Sequence, residues 1–355
     1  MRLKNIQIFS LFGIIFLLTS CSNSPKPKIV NNSVGYGAEL NITTTIESFK
    51  YLKKSLAAYV ATPQIYLTPE EPFYRVNYIG VNAFKASYLE YQTILLIVTD
   101  KNMSEMEHVA YGIGQDKFDS LTSVNGASFT AINNVWAKNQ TVFLLYGNSE
   151  ETLRLYLKDY SKEIRSAMYK AEINNLASRI CESNHPMSKL LKKKHGIEMA
   201  FPSFTKVDIK QDSYYSVNWQ EGNSNCNLLI GILNPQTDSV SSKSQMLATR
   251  KSQGKRYLQM DSLGIYYIGT SKKFPQRHQA FEVNGNKGAK INGWWVIDGQ
   301  FRGGPYTRYT LFHEATGQWI SLEALVYFPS VENRNDGKSK TRYLRTLEAI
   351  IHTLK

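Results

Sequence analysis

Residues 305–328 read PYTRYTLFHEATGQWISLEALVYF. Two apolar-rich runs flank the turn signal Thr316-Gly317, the pattern of two strands joined by a short loop. Side chains alternate between the two faces of a strand. In the second run Ile320, Leu322, Ala324, Val326 and Phe328 share one face, the natural core face. Trp319, Ser321, Glu323, Leu325 and Tyr327 share the other, and in the first run Tyr306, Arg308 and Thr310 lie together. If the runs form a hairpin, Tyr306 and Arg308 stand near Glu323 and Tyr327. Rings beside a cation and a carboxylate suit a sugar ring or a peptide, because rings stack and charges fix hydroxyls or termini. Tyr306, Arg308, Trp319, Glu323 and Tyr327 are therefore the candidate ligand-binding residues. The alternative is that the terminal helix covers this face and Arg308–Glu323 is a buried or rim ion pair.

Strand patterns surround this hairpin. Runs at 204–209, 214–219, 227–233, 264–269, 279–283 and 294–297 alternate or are densely apolar, with turn signals at Asn284-Gly285 and Asn292-Gly293. A helix is expected over 239–253 and another from about Thr341, with Leu344, Leu347, Ile351 and Leu354 as its buried stripe. Arg342, Arg345 and Glu348 fall mainly outside that stripe, and the polar segment 332–340 reads as mobile. Upstream, 39–46 reads as a strand, 47–60 as a helix, and 73–79, 93–99, 128–136 and 141–146 as strands. The run Thr93–Thr99 is apolar throughout, as in a central strand covered on both faces. From Ser149 to Ile180 apolar residues recur every three or four positions, which predicts one long helix. His185-Pro186 ends it, and Lys192-Lys193-Lys194-His195-Gly196 stops a following short helix. The expected architecture is α+β in two domains, 39–196 and 197–355, the second an antiparallel sheet packed with helices.

The N-terminus reads as an address. Arg2 and Lys4 precede an apolar run from Ile6 to Leu18, too short for a membrane span and of signal-peptide length. Leu18-Thr19-Ser20-Cys21 has the form of a bacterial lipobox, which makes 1–20 a cleaved signal and Cys21 the lipid attachment site. Several acyl chains together anchor a protein stably. Residues 21–38, with Pro25 and Pro27, read as a flexible tether. No acidic cluster follows Cys21, which points to the periplasmic face of the envelope rather than the cell surface.

The chain of 355 residues has a formal net charge of +13. The excess lies in the second half, where residues 201–355 carry 20 Lys and Arg against 12 Asp and Glu. A basic balance favours acidic partners. Behind a lipobox these are anionic lipid headgroups, lipopolysaccharide or nothing specific, and no nucleic-acid motif is present. Cys181 and Cys226 either pair or remain separate buried thiols.

Order and spacing in the C-terminal half carry a resemblance: Gly293-Trp294-Trp295, Phe301-Arg302-Gly303-Gly304-Pro305-Tyr306, Val326-Tyr327-Phe328-Pro329 and the helix Arg342–Ile350. Together with Val135–Gln140 they resemble an uncharacterised family of Bacteroidetes lipoproteins, a domain of unknown function, over most of the mature chain. The resemblance implies a lipoprotein and brings no activity or cofactor. The element order of the C-terminal half is also similar to the sandwich of PsbP-like and Mog1-like domains.

Catalytic signatures are missing: no HExxH, no GxSxG, no P-loop. Ser203–Lys206 and Ser252–Lys255 have Ser-Lys spacing by chance frequency, and the histidines at 108, 185, 195, 278, 313 and 352 show no metal-ligand spacing. No cofactor or metal is expected. The expected function is a lipid-anchored, non-catalytic envelope protein that binds a partner protein or glycan. The alternatives are an envelope glycan- or peptide-directed enzyme using Glu323 or His313, and a spacer held to anionic lipid by charge.

Overall fold

The computed structural model describes residues 31–355 except 85, 111, 212, 234–240, 261–266, 298, 299, 301 and 330–337. Cys21, the lipobox and the polar segment 330–337 lie outside the described residues.

The first unit runs β1 (Glu39–Thr44), α1 (Ile46–Ser55), the short hairpin β2 (Pro63–Gln64) and β3 (Glu71–Pro72), β4 (Arg75–Gly80), α2 (Ala86–Leu89), β5 (Thr93–Thr99), α3 (Met103–Ala110), α4 (Gln115–Thr122), β6 (Ala127–Asn133), β7 (Thr141–Gly147), α5 (Glu150–Asp159) and α6 (Ser161–Ile180). Its sheet order is β4-β1-β5-β7-β6, parallel except for the edge strand β6. Central β5 is buried at all seven residues. Leu95 and Ile97 face α1, α5 and α6, while Ile94, Leu96 and Val98 face α3 and α4. Such two-sided cover explains the continuous apolar run.

The helix expected over 149–180 is two helices. Ser149 caps α5 by accepting from the Thr152 N–H, and the chain leaves helical geometry at Tyr160 (φ −109°, ψ 21°) before α6 begins. Leu153 and Leu157 precede the break and Ile164 and Met168 follow it, all in one core. The apolar period runs through the break, so it gave no sign of one.

The second unit runs β8 (Cys181–Glu182), α7 (Pro186–His195), β9 (Phe201–Pro202), β10 (Lys206–Gln211), β11 (Tyr214–Glu221), β12 (Ser224–Leu233), α8 (Lys243–Tyr257), β13 (Ile268–Thr270), β14 (Arg277–Val283), β15 (Asn286–Ile297), β16 (Gly303–His313), β17 (Gln318–Tyr327) and α9 (Lys340–Ile351). An antiparallel sheet follows the order β10-β11-β12-β17-β16-β15-β13, with β14 also on β15. One face packs on α7 and α9, the other on α8. The mixed α+β class is therefore as expected. Helix α7 ends at Gly196 in the left-handed region (φ 69°), a conformation glycine adopts without cost. Its Met187 and Leu191 sit in the core of the C-terminal sheet, so by packing the second unit begins ahead of residue 197.

Two sequence expectations change in detail, and a third holds. Asn292-Gly293 is no turn: both lie inside β15, and Gly293 leaves room for the Tyr306 ring, 2.7 Å from where a Cβ would stand. Asn284-Gly285 does turn, with φ of 48° and 84°, the signs of a type I′ hairpin. Residues 31–38, read as tether, run along the body: the Ser33 N–H donates to Lys138 O and the Ala38 N–H to Glu172.

Helix α9 is buried on more than its apolar stripe. Leu344, Leu347, Ile351 and Leu354 enter the sheet core as expected, each worth up to about 2 kcal/mol. Arg345 and Glu348, expected outside, are buried as well, because α6 of the first unit packs over them. Arg345 pairs with Glu172 of α6 at 3.4 Å and with Glu348 at 3.2 Å. Glu71 on β3 accepts the backbone N–H groups of Lys340 (3.2 Å) and Thr341 (2.8 Å) and pairs with the Lys340 ammonium at 2.8 Å. A carboxylate of one unit thus caps a helix of the other.

Candidate functional site

Strands β16 and β17 do form the hairpin, with Arg308 opposite Glu323 and Tyr306 opposite Leu325. The face they share is not a surface. Helix α8 lies across it, while α9 packs on the opposite face. Glu323 accepts from Arg308 Nη1 at 2.9 Å and from Arg250 Nε at 2.8 Å. Arg308 Nη2 also donates to Gln253 Oε1 at 2.8 Å, and the Arg250 guanidinium stacks 4.2 Å from the Tyr306 ring centre. Tyr306, Arg308 and Glu323 are each at most 2% exposed. The candidate face is therefore a sealed ionic centre, as in the alternative of a buried Arg308–Glu323 pair, except that the covering helix is α8 rather than the terminal one; α8 supplies both its lid and its second cation. Trp319 stands apart, half-buried against Phe312 at 5.5 Å between ring centres. Eight residues of strand separate it from Tyr327, about 27 Å.

Tyr327 alone among the five opens onto a cleft, of about 350 Å³, where α8 ends and uncovers the sheet. Its floor follows from cross-strand register. Asn218 of β11 stands opposite Asn227 of β12, which stands opposite Leu325 of β17, and Asn225 faces Tyr327 one step along. Asn225 Oδ1 accepts from Asn227 Nδ2 at 2.6 Å. The buried Ser216 hydroxyl, also on the floor, has no hydrogen-bond partner among the described residues. Tyr257 from the end of α8, Trp295 of β15 and Tyr327 form the walls. Tyr257 is fixed by stacking on Tyr214 (4.4 Å, 12°), and Trp295 by donating its indole N–H to Val326 O at 3.1 Å. Gly304 permits that arrangement: a Cβ there would sit 3.0 Å from the Trp295 indole nitrogen and collide with Val326 O. The Gly303-Gly304 pair thus serves strand packing. Arg302 lies over the Tyr327 ring at 5.4 Å and Asp208 stands exposed at the rim.

This cleft offers amides, a hydroxyl and aromatic faces, and among the described residues Asp208 is its one lining carboxylate. Glycoside hydrolysis by the usual routes uses two facing carboxyl groups. The other residues considered for chemistry serve elsewhere. His313 is fully buried at the hairpin end, bonded to Thr316 Oγ1 and Lys355 O at 2.7 Å each. Ser203, Lys206, Ser252 and Lys255 are exposed. Cys181 and Cys226 are free thiols, both pushed up by burial, Cys181 to about 12. Among the described residues no group of three His, Cys, Asp or Glu stands close enough to hold a metal ion, and no helix is long and apolar enough to cross a membrane.

Residues 184–353 match the family model "Domain of unknown function (DUF4837)", and residues 33–181 match "Domain of unknown function (DUF8532)". The chain joins two domains of unknown function. The DUF4837 region contains the cleft and the sealed ionic centre, and the DUF8532 region contributes Glu71 and Glu172 to the contact between units. No curated protein matches the chain. Among solved structures, the Ran-binding protein Mog1p of Saccharomyces cerevisiae is 12% identical, with a TM-score of 0.28, over 45% of this chain and 89% of that one. A mutant of Mog1 is 10% identical, with a TM-score of 0.26 and the same coverage.

The amides and rings of the cleft were within reach of sequence. Asn225 and Asn227 alternate on one strand face, and Trp295 belongs to the tryptophan pair of the C-terminal signature. Tyr257 was not, because nothing local says where α8 ends relative to the sheet.

Proposed function

We propose that this protein is a lipid-anchored, non-catalytic envelope protein that binds a neutral glycan in the cleft of its C-terminal sheet. The single observation that carries this is the pairing of an asparagine floor with walls of Tyr257, Trp295 and Tyr327. Sugar rings present an apolar face for stacking and hydroxyls for amide hydrogen bonds. The volume of about 350 Å³ accommodates one or two rings. Anchoring rests on the lipobox and Cys21, and the periplasmic side on the missing acidic cluster after it. A glycosidase acting at this site by the usual pair of carboxyl groups needs a second one facing Asp208, and the described lining offers none.

Saturation-transfer NMR against fragments of envelope glycans tests the reading. Tyr327→Ala and Asn227→Ala are each expected to weaken binding at least tenfold while the circular dichroism stays that of the parent. Equal binding by both variants, or none by the parent to any neutral glycan, would reject the site. Cys21→Ser is expected to move the protein from the membrane fraction to the soluble one; a membrane-bound Cys21→Ser protein rejects lipid anchoring.

A further inference from the structure

A second cleft, of about 510 Å³, lies between the two units and has the opposite chemistry. Lys162 and Arg165 reach it from α6, Arg277 from β14, Lys290 from β15 and Arg345 from α9. The register places Arg277 opposite Asn292, and Gln279 opposite Lys290, so these four present one polar sheet face toward the first unit. Among the described residues Glu348 is the one lining carboxylate. It is already engaged, by Arg345 at 3.2 Å and by the Tyr309 hydroxyl at 3.1 Å.

The cations are therefore in excess. Arg345 is 4% exposed, and its Nη2 has no hydrogen-bond partner among the described residues although Glu172 and Glu348 flank the guanidinium. Lys290 points its ammonium among the rings of Phe281 (5.1 Å), Tyr169 (5.8 Å) and Tyr309 (5.9 Å), with no ion-pair partner within 4.0 Å among the described residues. Arg165 donates to Tyr59 O and to Thr62 Oγ1 at 3.2 Å, neutral acceptors that leave its charge uncompensated. Holding these charges close together costs free energy that an anion in the cleft returns, and the cost grows as water is excluded.

We infer that the cleft between the units binds a phosphate-bearing ligand, held jointly by α6 of the first unit and by β14, β15 and α9 of the second. A dianion suits the site better than a single carboxylate, because Lys162, Arg165, Arg277 and Lys290 each lack a carboxylate partner among the described residues. Guanidinium groups bind phosphate oxygens in pairs, and the ammonium groups add point charge. The phosphate has two possible sources, a soluble phosphate ester or a phospholipid headgroup. The site shares no lining residue with the glycan cleft, so either can fail alone.

Isothermal titration of the full chain with pyrophosphate and inorganic phosphate at low salt is the test, alongside flotation with phosphatidylglycerol vesicles. Pyrophosphate is expected to bind and to raise the melting temperature by several degrees. Lys290→Met with Arg277→Gln is expected to weaken binding at least tenfold. Arg277→Gln alone, at an exposed position, does so by a smaller factor if the double variant fails to fold. Lys193→Gln with Lys194→Gln removes the same charge from the exposed end of α7 and is expected to change nothing. Soluble binding that vesicles do not match assigns a free ester, and vesicle binding lost with the Arg277 and Lys290 substitutions assigns a headgroup. No phosphate binding by the parent in either format, or equal loss in the Lys193 and Lys194 variant, overturns the inference.

Discussion

Glu323 holds two buried guanidinium groups, Arg250 and Arg308, with side-chain exposures of 2–3% throughout. Removing its charge leaves two cations in a water-poor layer, which costs about 3–5 kcal/mol in comparable sites. Glu323→Gln is expected to lower stability by that order in urea unfolding; a change below about 1 kcal/mol would mean that water enters beneath α8. Half of this centre was legible in advance: two-residue alternation put Arg308 and Glu323 on one face of the right hairpin. What alternation does not reveal is what lies above a face, and Arg250 and Gln253 come from a helix some 70 residues upstream. His352 is the second residue with a readable consequence. Burial lowers it from 6.5 to about 4, with Glu348 opposing and Lys290 adding to the fall. A histidine lowered by folding lends stability above its unfolded value of about 6.5, and that stability is lost as pH falls toward 4. Glu172, which burial holds above the usual carboxylate range, acts in the opposite sense. The difference between parent and His352→Gln across pH 7 to 4 isolates the histidine, and is expected to shrink steadily on acidification. A constant difference would mean that His352 titrates normally.

At the scale of elements, α9 shows why a periodic stripe under-reads burial. The spacing of Leu344, Leu347, Ile351 and Leu354 identified the face on the sheet. Arg345 and Glu348 looked solvated because charge usually marks the wet side of a helix. Here a second helix brings Glu172 to meet them, and no local pattern encodes a partner that far away in sequence. The same limit hid the break at Tyr160, where two helices share one apolar phase. The start of α9 is held by Glu71 as well as by its own cap, Ser339, whose hydroxyl accepts the Arg342 N–H at 3.0 Å. Glu71→Ala is expected to cost about 2 kcal/mol, the sum of a lost helix-end contact and a stranded Lys340. Ser339→Ala is expected to cost about 1 kcal/mol. Thermal unfolding of the two variants checks the order; the reverse order would show that the contact between units adds little.

The whole molecule is two layered units joined by more than a linker. Leu67, from the loop between β2 and β3, is part of the C-terminal core, and Gln64 donates to Thr341 Oγ1 at 2.8 Å. With Glu172–Arg345 and Glu71–Lys340 also shared, neither unit keeps its buried groups satisfied alone. The two are therefore expected to unfold in one transition. Trp136 reports on the first unit and Trp219, Trp294, Trp295 and Trp319 on the second. Coincident denaturation curves from single-tryptophan variants are the expected outcome, and two separated midpoints would refute the coupling.

Among the described residues the body is held from Asn31, whose carbonyl accepts from the Lys138 N–H at 2.9 Å, and residues 32–38 continue along it. With the proposed lipid on Cys21, the ten residues from Cys21 to Asn31 set an upper limit on how far Asn31 stands from the bilayer. Ten extended residues reach at most about 35 Å. Under the proposed anchoring Asn31 therefore stays within that distance of the membrane, and whatever the protein captures must come to it.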